Sequence, residues 1–198
     1  MRLGTVSVPD RIACIIRRAA IFADTDAQAA MGIAMAESNF DPNAVGDAGC
    51  SIGLFQLNTC GGQGSDYKDN PDALKDPHLN ATIAIKPIAL AVLKYRDAGL
   101  GKWDYFREVA RHSGHPGLVS ADDPRVVAIA NNCFKLIFDA SGRLSPWPAY
   151  NPALCADTTA PPPPLGSWSE GAAPTNGTEA DDAIRKHLER IGQLVDTF

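Results

Sequence analysis

The apolar positions of residues 9–142 fall into blocks separated by Pro, Gly and Asp, and the blocks read as helices. Residues 9–23 form an apolar-rich stretch opened by Pro9. Thr25 and Asp26 cap a second helix, rich in Ala and Met, that runs to about Glu37. Residues 39–64 break the pattern. They carry Asp41-Pro42-Asn43, many glycines and few helix formers, which predicts a loop plus a short hairpin. Asp76-Pro77 opens a third helix that continues to about Asp97 and bends at Pro87, where a backbone donor is missing. Residues 103–112 make a fourth helix. Asp122, Asp123 and Pro124 start a fifth that ends near Gly142.

The pattern changes again after residue 142. Pro146, Pro148, Pro152, Pro161, Pro162, Pro163, Pro164 and Pro174 are eight of the chain's 15 prolines, and the run of four predicts a stiff polyproline spacer. A last helix is expected over 179–197. Its apolar residues Ile184, Leu188, Ile191, Val195 and Phe198 are spaced 4, 3, 4 and 3, a coiled-coil-like seam about two heptads long. Such a helix either packs back on the main domain or docks and oligomerises from the end of the arm. The spacer favours docking. The expected organisation is thus 1–142 as a helical domain, 143–178 as a proline-rich linker or arm, and 179–198 as a docking or oligomerisation helix.

Composition narrows the classes. The 198 residues are 45% apolar and 21% charged, ordinary globular material long enough for one domain and an appendage. No run of 18 apolar residues suits a membrane span, and residues 1–9 lack the features of a secretory signal. The net charge of −5, with 18 Lys and Arg spread along the chain, argues against nucleic-acid binding. The five cysteines show no CxxC pair, so no zinc site is expected, and nothing in the sequence implies another metal or a cofactor. Cys50 and Cys60 could close the segment between them, and Cys133 could reach Cys155. The odd count leaves one thiol over.

The chemistry concentrates in residues 36–58. Glu37 ends an otherwise uncharged helix, where the carbonyl end of the helix dipole disfavours an anion. Ile33, Ala34, Met35 and Phe40 around it are apolar, and desolvation acts in the same direction. A carboxylic acid kept protonated is what general-acid cleavage of a glycosidic bond requires. The glycine-rich segment that follows lets backbone approach an extended ligand, and Gln56 and Asn58 offer hydrogen bonds to sugar groups.

Glu37-Ser38, then Pro42 and Ala44, then Gly53-Leu54-Phe55-Gln56-Leu57 resemble the signature of the lysozyme-like lytic transglycosylases of the SLT type and their goose-type lysozyme relatives. Asp76-Pro77 with Asn80 is similar to that family's helix after the hairpin. The resemblance spans roughly residues 10–120. It implies a mainly α, lysozyme-like domain with a short β-hairpin at the active site. It implies Glu37 as the catalytic acid, Ser38 as its positioning neighbour, and Gly53, Leu54, Phe55 and Gln56 as the groove lining. Gly46-Asp47-Ala48-Gly49 is similar to a goose-type stretch whose Asp holds the attacking water, which makes Asp47 the candidate second carboxylate. A further goose-type Asp falls at Asn58, which cannot act as a base. The family's Ala-Tyr-Asn-x-Gly segment is best matched by Ala110-Arg111-His112-Ser113-Gly114, so Arg111 and His112 would face the sugar in place of Tyr and Asn.

The implied substrate is peptidoglycan, cut at the β-1,4 bond between N-acetylmuramic acid and N-acetylglucosamine. The product is either a 1,6-anhydro end or, with Asp47 activating water, a hydrated end. The docking arm and the missing signal suggest a phage tail-associated protein that acts in the bacterial wall or periplasm during entry, with tail or hub proteins as partners. The alternatives are an endolysin held in the host cytoplasm until release, and a structural tail module that has lost activity.

Overall fold

A computed structural model describes residues 1–113 and 120–155. The expected helix of 179–197, the polyproline run and Gly114 lie outside the described residues.

The chain opens with a small antiparallel hairpin, β1 (Arg2–Leu3) and β2 (Val6–Ser7), which the residue pattern did not signal. Five helices follow in order: α1 (Asp10–Phe22), α2 (Ala27–Ser38), α3 (Pro77–Tyr95), α4 (Lys102–His112) and α5 (Pro124–Ile137). Between α2 and α3 lies a three-stranded antiparallel sheet of two-residue strands, β3 (Val45–Gly46), β4 (Ser51–Ile52) and β5 (Leu57–Asn58). The fold is mainly helical with this small sheet beside it. None of the described helices is long and apolar enough to cross a membrane.

Local chemistry sets the helix starts. The Asp26 carboxylate accepts from the backbone N–H of Gln28 and Ala29 and caps α2. Asp76 does the same for His78 and Leu79 at the start of α3, and Asp123 for Arg125 at the start of α5. Each cap satisfies donors that the first helical turn leaves open. Pro77 and Pro124 occupy first-turn positions, where no backbone donor is needed. α3 runs on through Pro87.

α2 is the central helix. Ala29, Ala30, Met31, Gly32, Ile33 and Ala34 are all buried, so its middle is apolar all round. α5 crosses it at Gly32. A Cβ there would lie 2.2 Å from Cys133 Sγ, so only glycine permits the approach. The crossing is lined by Ala30, Ile129, Ala130 and Cys133, with Phe106, Ile88 and Leu136 filling the surrounding core.

α5 ends at Ile137, short of the expected Gly142. Asp139 explains the early stop: its carboxylate accepts from the N–H of Ser141 at 2.8 Å and of Arg143 at 3.0 Å, a turn that competes with helix. Residues 143–155, read from sequence as the start of the arm, lie against α1 and α5. Trp147 Nε1 donates to the Leu136 carbonyl at 2.8 Å, and Arg17 donates to the Pro148 carbonyl at 2.9 Å. Cys155 is bonded to Cys14 of α1 across 141 residues of sequence, and the compact unit runs from Met1 to Cys155. The pairing of Cys133 with Cys155 suggested by sequence is therefore not formed. Cys133 is the buried free thiol, held against Gly32, and burial pushes its ionisation well up. The second disulfide, Cys50–Cys60, closes the hairpin segment as expected.

Candidate active site

Glu37 stands in the last turn of α2 and is partly exposed. The helix ends immediately after it. Asn39 and Phe40 both adopt left-handed backbone, with φ of 52° and 68°. Asn tolerates this conformation, and Phe40 is held in it by burial of its ring, which is 3% exposed. The two residues reverse the chain so that β3–β5 folds back beside the end of α2.

Ser38 makes that junction. Its hydroxyl donates to the Leu54 carbonyl at 2.8 Å and also lies 3.2 Å from the Ala34 carbonyl. The residue after the acid is thereby tied to the turn between β4 and β5. Gly53 in this turn has φ 81°, and a Cβ there would lie 2.3 Å from the Leu74 carbonyl oxygen and 2.4 Å from the Asn80 amide nitrogen. Sterics and backbone conformation thus both demand glycine.

Leu54 and Phe55 were expected in the groove lining. They are core residues, 0% and 6% exposed, because their side chains point into the helical unit and anchor the turn. Gln56 is partly exposed, but its amide nitrogen donates to the carbonyls of Ala44 and Gly53 at 3.1 and 3.0 Å. It braces the hairpin against the segment before β3. Asn58 accepts from the Cys60 N–H at 2.9 Å beside the Cys50–Cys60 disulfide.

Asp47 lies on an exposed left-handed turn with Ala48, and its carboxylate accepts from the buried Ser51 hydroxyl at 2.5 Å. Its position is therefore fixed to β4. Arg111 and His112 stand in the last turn of α4. Arg111 is paired to Glu108 at 2.5 Å, and His112 lies 3.6 Å from the same carboxylate with its ring 5.2 Å from that of Tyr95. Their side chains are committed to α3 and α4, so a sugar would have to displace those partners to meet them.

Two residues that sequence reading left unassigned to the site shape it. Asn80, on α3, is fully buried and saturated. Its oxygen accepts from the Phe55 N–H at 2.9 Å, and its nitrogen donates to the carbonyls of Ile52 and Leu74 at 2.9 and 2.8 Å. One side chain thus bolts both ends of the hairpin turn to α3. Replacing Asn80 by Leu leaves a buried donor and two carbonyls unsatisfied, and is expected to cost about 2–4 kcal/mol, read as a lower urea midpoint. Proteolysis within residues 53–56 should rise at the same time.

The other residue is Arg125, in the first turn of α5. Asp123 grips its guanidinium through Nε and Nη2, each at 3.1 Å. That pairing is the main reason its proton is held more tightly than usual, and Glu37 adds to it from α2. The Glu37 charge is the last and smallest of these effects, a weak electrostatic coupling between α2 and α5 that the sequence did not suggest. The signal was hidden because α2 and α5 meet only in the tertiary fold.

Two histidines make stability depend on pH. His112 titrates below its ordinary 6.5, first through desolvation, then through Lys94 and Arg111. His78 also titrates below 6.5, again chiefly through desolvation, against the opposing pull of Asp76. Below 6.5 the unfolded chain therefore binds more protons than the folded one. Stability is full above that pH and falls as pH drops through it towards the lower folded values. A melting series across this window should show the decline, and a His112→Gln variant should show less of it.

No group of three or more His, Cys, Asp or Glu among the described residues could hold a metal ion. Residues 14–106, which run from within α1 through α2, the sheet and α3 into α4, match the family model of the transglycosylase SLT domain. The mainly helical fold with its small antiparallel sheet agrees with the lysozyme-like architecture of that family. No curated protein and no solved structure matches the chain.

Proposed function

We propose that the transglycosylase SLT domain of residues 14–106 cleaves the β-1,4 bond between N-acetylmuramic acid and N-acetylglucosamine in peptidoglycan, with Glu37 as general acid and then general base. The observation that carries this reading is the Ser38–Leu54 hydrogen bond, which holds the last turn of α2, and with it the acid, beside the hairpin turn. In the first step Glu37 gives its proton to the leaving glycosidic oxygen as the bond to the anomeric carbon breaks. The substrate's acetamido group assists at that carbon. Glu37, now a carboxylate, takes the proton of the muramyl 6-hydroxyl as that oxygen closes on the anomeric carbon. The product is a 1,6-anhydro end, and no water is consumed. Gln56 and Asn58 line the approach along the hairpin.

The Asp47–Ser51 bond favours a second reading, in which Asp47 orients a water that attacks instead. Digestion of purified peptidoglycan, read by mass spectrometry, separates the two. Anhydro ends, lighter by one water, are the expected result. Hydrated ends alone would assign the reaction to Asp47-assisted hydrolysis, and intact strands after treatment with folded protein would leave a structural module. We further propose that the activity is delivered from a phage tail. The proline run of 161–164 and the seam of 179–198, both beyond the compact unit that ends at Cys155, support an arm that docks on a tail or hub protein, and two disulfides suit a protein that works outside the reducing cytoplasm.

A further inference from the structure

At the opposite end of α2 from Glu37 lies a cleft of about 480 Å³, lined by residues of α1, the start of α2 and the segment after α5. Gln28, in its wall, is nine residues from Glu37 along the helix, or about 14 Å at 1.5 Å per residue. The cleft is therefore separate from the candidate active site.

Its lining has a definite chemistry. Trp147 offers an indole held in place, because its Nε1 is already bonded to the Leu136 carbonyl. The Arg17 guanidinium is fixed over Trp147 at 5.8 Å and over Tyr150 at 5.6 Å, and is bonded to Pro148. Ile21 adds an apolar wall that is 55% exposed. The Gln28 amide has no hydrogen-bond partner among the described residues. Thr25 Oγ1 is buried at the floor, also without a partner. An orphan buried hydroxyl is uncommon in native proteins, and its polar accounting closes when water or a ligand is added. Asp26, by contrast, is spent on capping α2 and on the Tyr105 hydroxyl at 3.1 Å.

The charges of Arg17 and Asp26 offset each other, so the cleft selects neither an anion nor a cation. It suits a neutral ring with one apolar face and a hydrogen-bonding rim. The free primary amide of Gln28 is matched by another amide, which both accepts and donates. We propose that this cleft is a second saccharide-binding site, which takes an N-acetylated amino-sugar unit of a glycan strand away from the point of cleavage. The saccharide chemistry follows from the lining alone. That the sugar belongs to a wall strand rests on the proposed function. The site would keep the enzyme on insoluble wall material between cuts.

The test compares the full chain with a Gln28→Ala, Ile21→Ser double variant, neither residue being part of the proposed cleavage machinery. Two substrates are used: insoluble sacculi and soluble glycan fragments two disaccharides long. The apparent KM on sacculi should rise about fivefold, the loss expected from a hydrogen bond and an apolar contact, while turnover of the fragments and the melting temperature stay unchanged. Equal kinetics of the two proteins on sacculi would overturn the proposal, and so would equal losses on both substrates. Co-sedimentation with sacculi supplies a readout that needs no cleavage. If the wild type cuts neither substrate but sediments in a Gln28-dependent way, the proposed reaction falls and the second site stands.

Discussion

Replacing Glu37 by Gln is expected to lower the rate of glycan cleavage by a factor on the order of 10²–10⁴ and to leave the melting temperature close to that of the wild type. The two halves of this expectation have separate grounds. Gln keeps the size and hydrogen-bonding reach of Glu but has no proton to give a leaving oxygen and no charge with which to take one back. Both proposed steps fail together. The main supports of the fold here lie elsewhere. α2 is held by the apolar run from Ala29 to Ala34, and the junction to the hairpin is made by Ser38, not by Glu37. The Arg125 guanidinium, which Glu37 affects only weakly, has its main partner in Asp123 and stays gripped when Glu37 is neutralised. Initial rates on purified peptidoglycan with matched, folded samples read the effect. A Gln variant as active as wild type would remove Glu37 from the mechanism and turn attention to Asp47.

Arg125 also shows where reading the sequence stops. The starts of α2, α3 and α5 were legible because Asp26, Asp76 and Asp123 act on their own neighbours two or three residues away. Glu37 and the hairpin motif were legible because they lie close together along the chain. The partners that reach across the fold were not. Asn80 was legible as part of the helix that follows the hairpin, but its task was not, and only the folded chain brings it under Phe55 and Ile52. Leu54 and Phe55 look like groove residues by their place in a motif, yet the motif also needs anchors, and apolar side chains beside a tight turn anchor it by burial. Arg111 and His112 were aligned by position along the chain, but on α4 their nearest oppositely charged group is Glu108. Such local pairing competes with any role at a distance.

Replacing both Cys14 and Cys155 by Ala is expected to lower the unfolding free energy by about 5 kcal/mol, because this bond closes a loop of 141 residues and long loops restrict the unfolded chain most. The substitution to Ala avoids placing a hydroxyl in a site where both sulfurs are nearly inaccessible, at 2% and 3% exposure. The folded side has a stake as well. Residues 143–155 contain one short 3₁₀ turn and no other helix or strand. They are held by the Trp147–Leu136 and Arg17–Pro148 hydrogen bonds, by backbone bonds of Arg143 and Ser145 around the end of α5, and by the disulfide at their own end. Without it the segment should fray from Cys155 inward, uncovering the face of α1 that carries Cys14 and Arg17 and opening the cleft that Trp147 lines. Hydrogen exchange should therefore speed up in 143–155 before it does so in α2 or α5. Removing Cys50–Cys60, which closes a loop of only 10 residues, should cost about 2–3 kcal/mol and should loosen the hairpin while leaving α1 protected. If the Cys14, Cys155 variant lost less than about 1 kcal/mol in urea unfolding, the hydrogen bonds and the packing of Trp147 would suffice to hold the segment, and the bond would be a restraint on the segment's end alone.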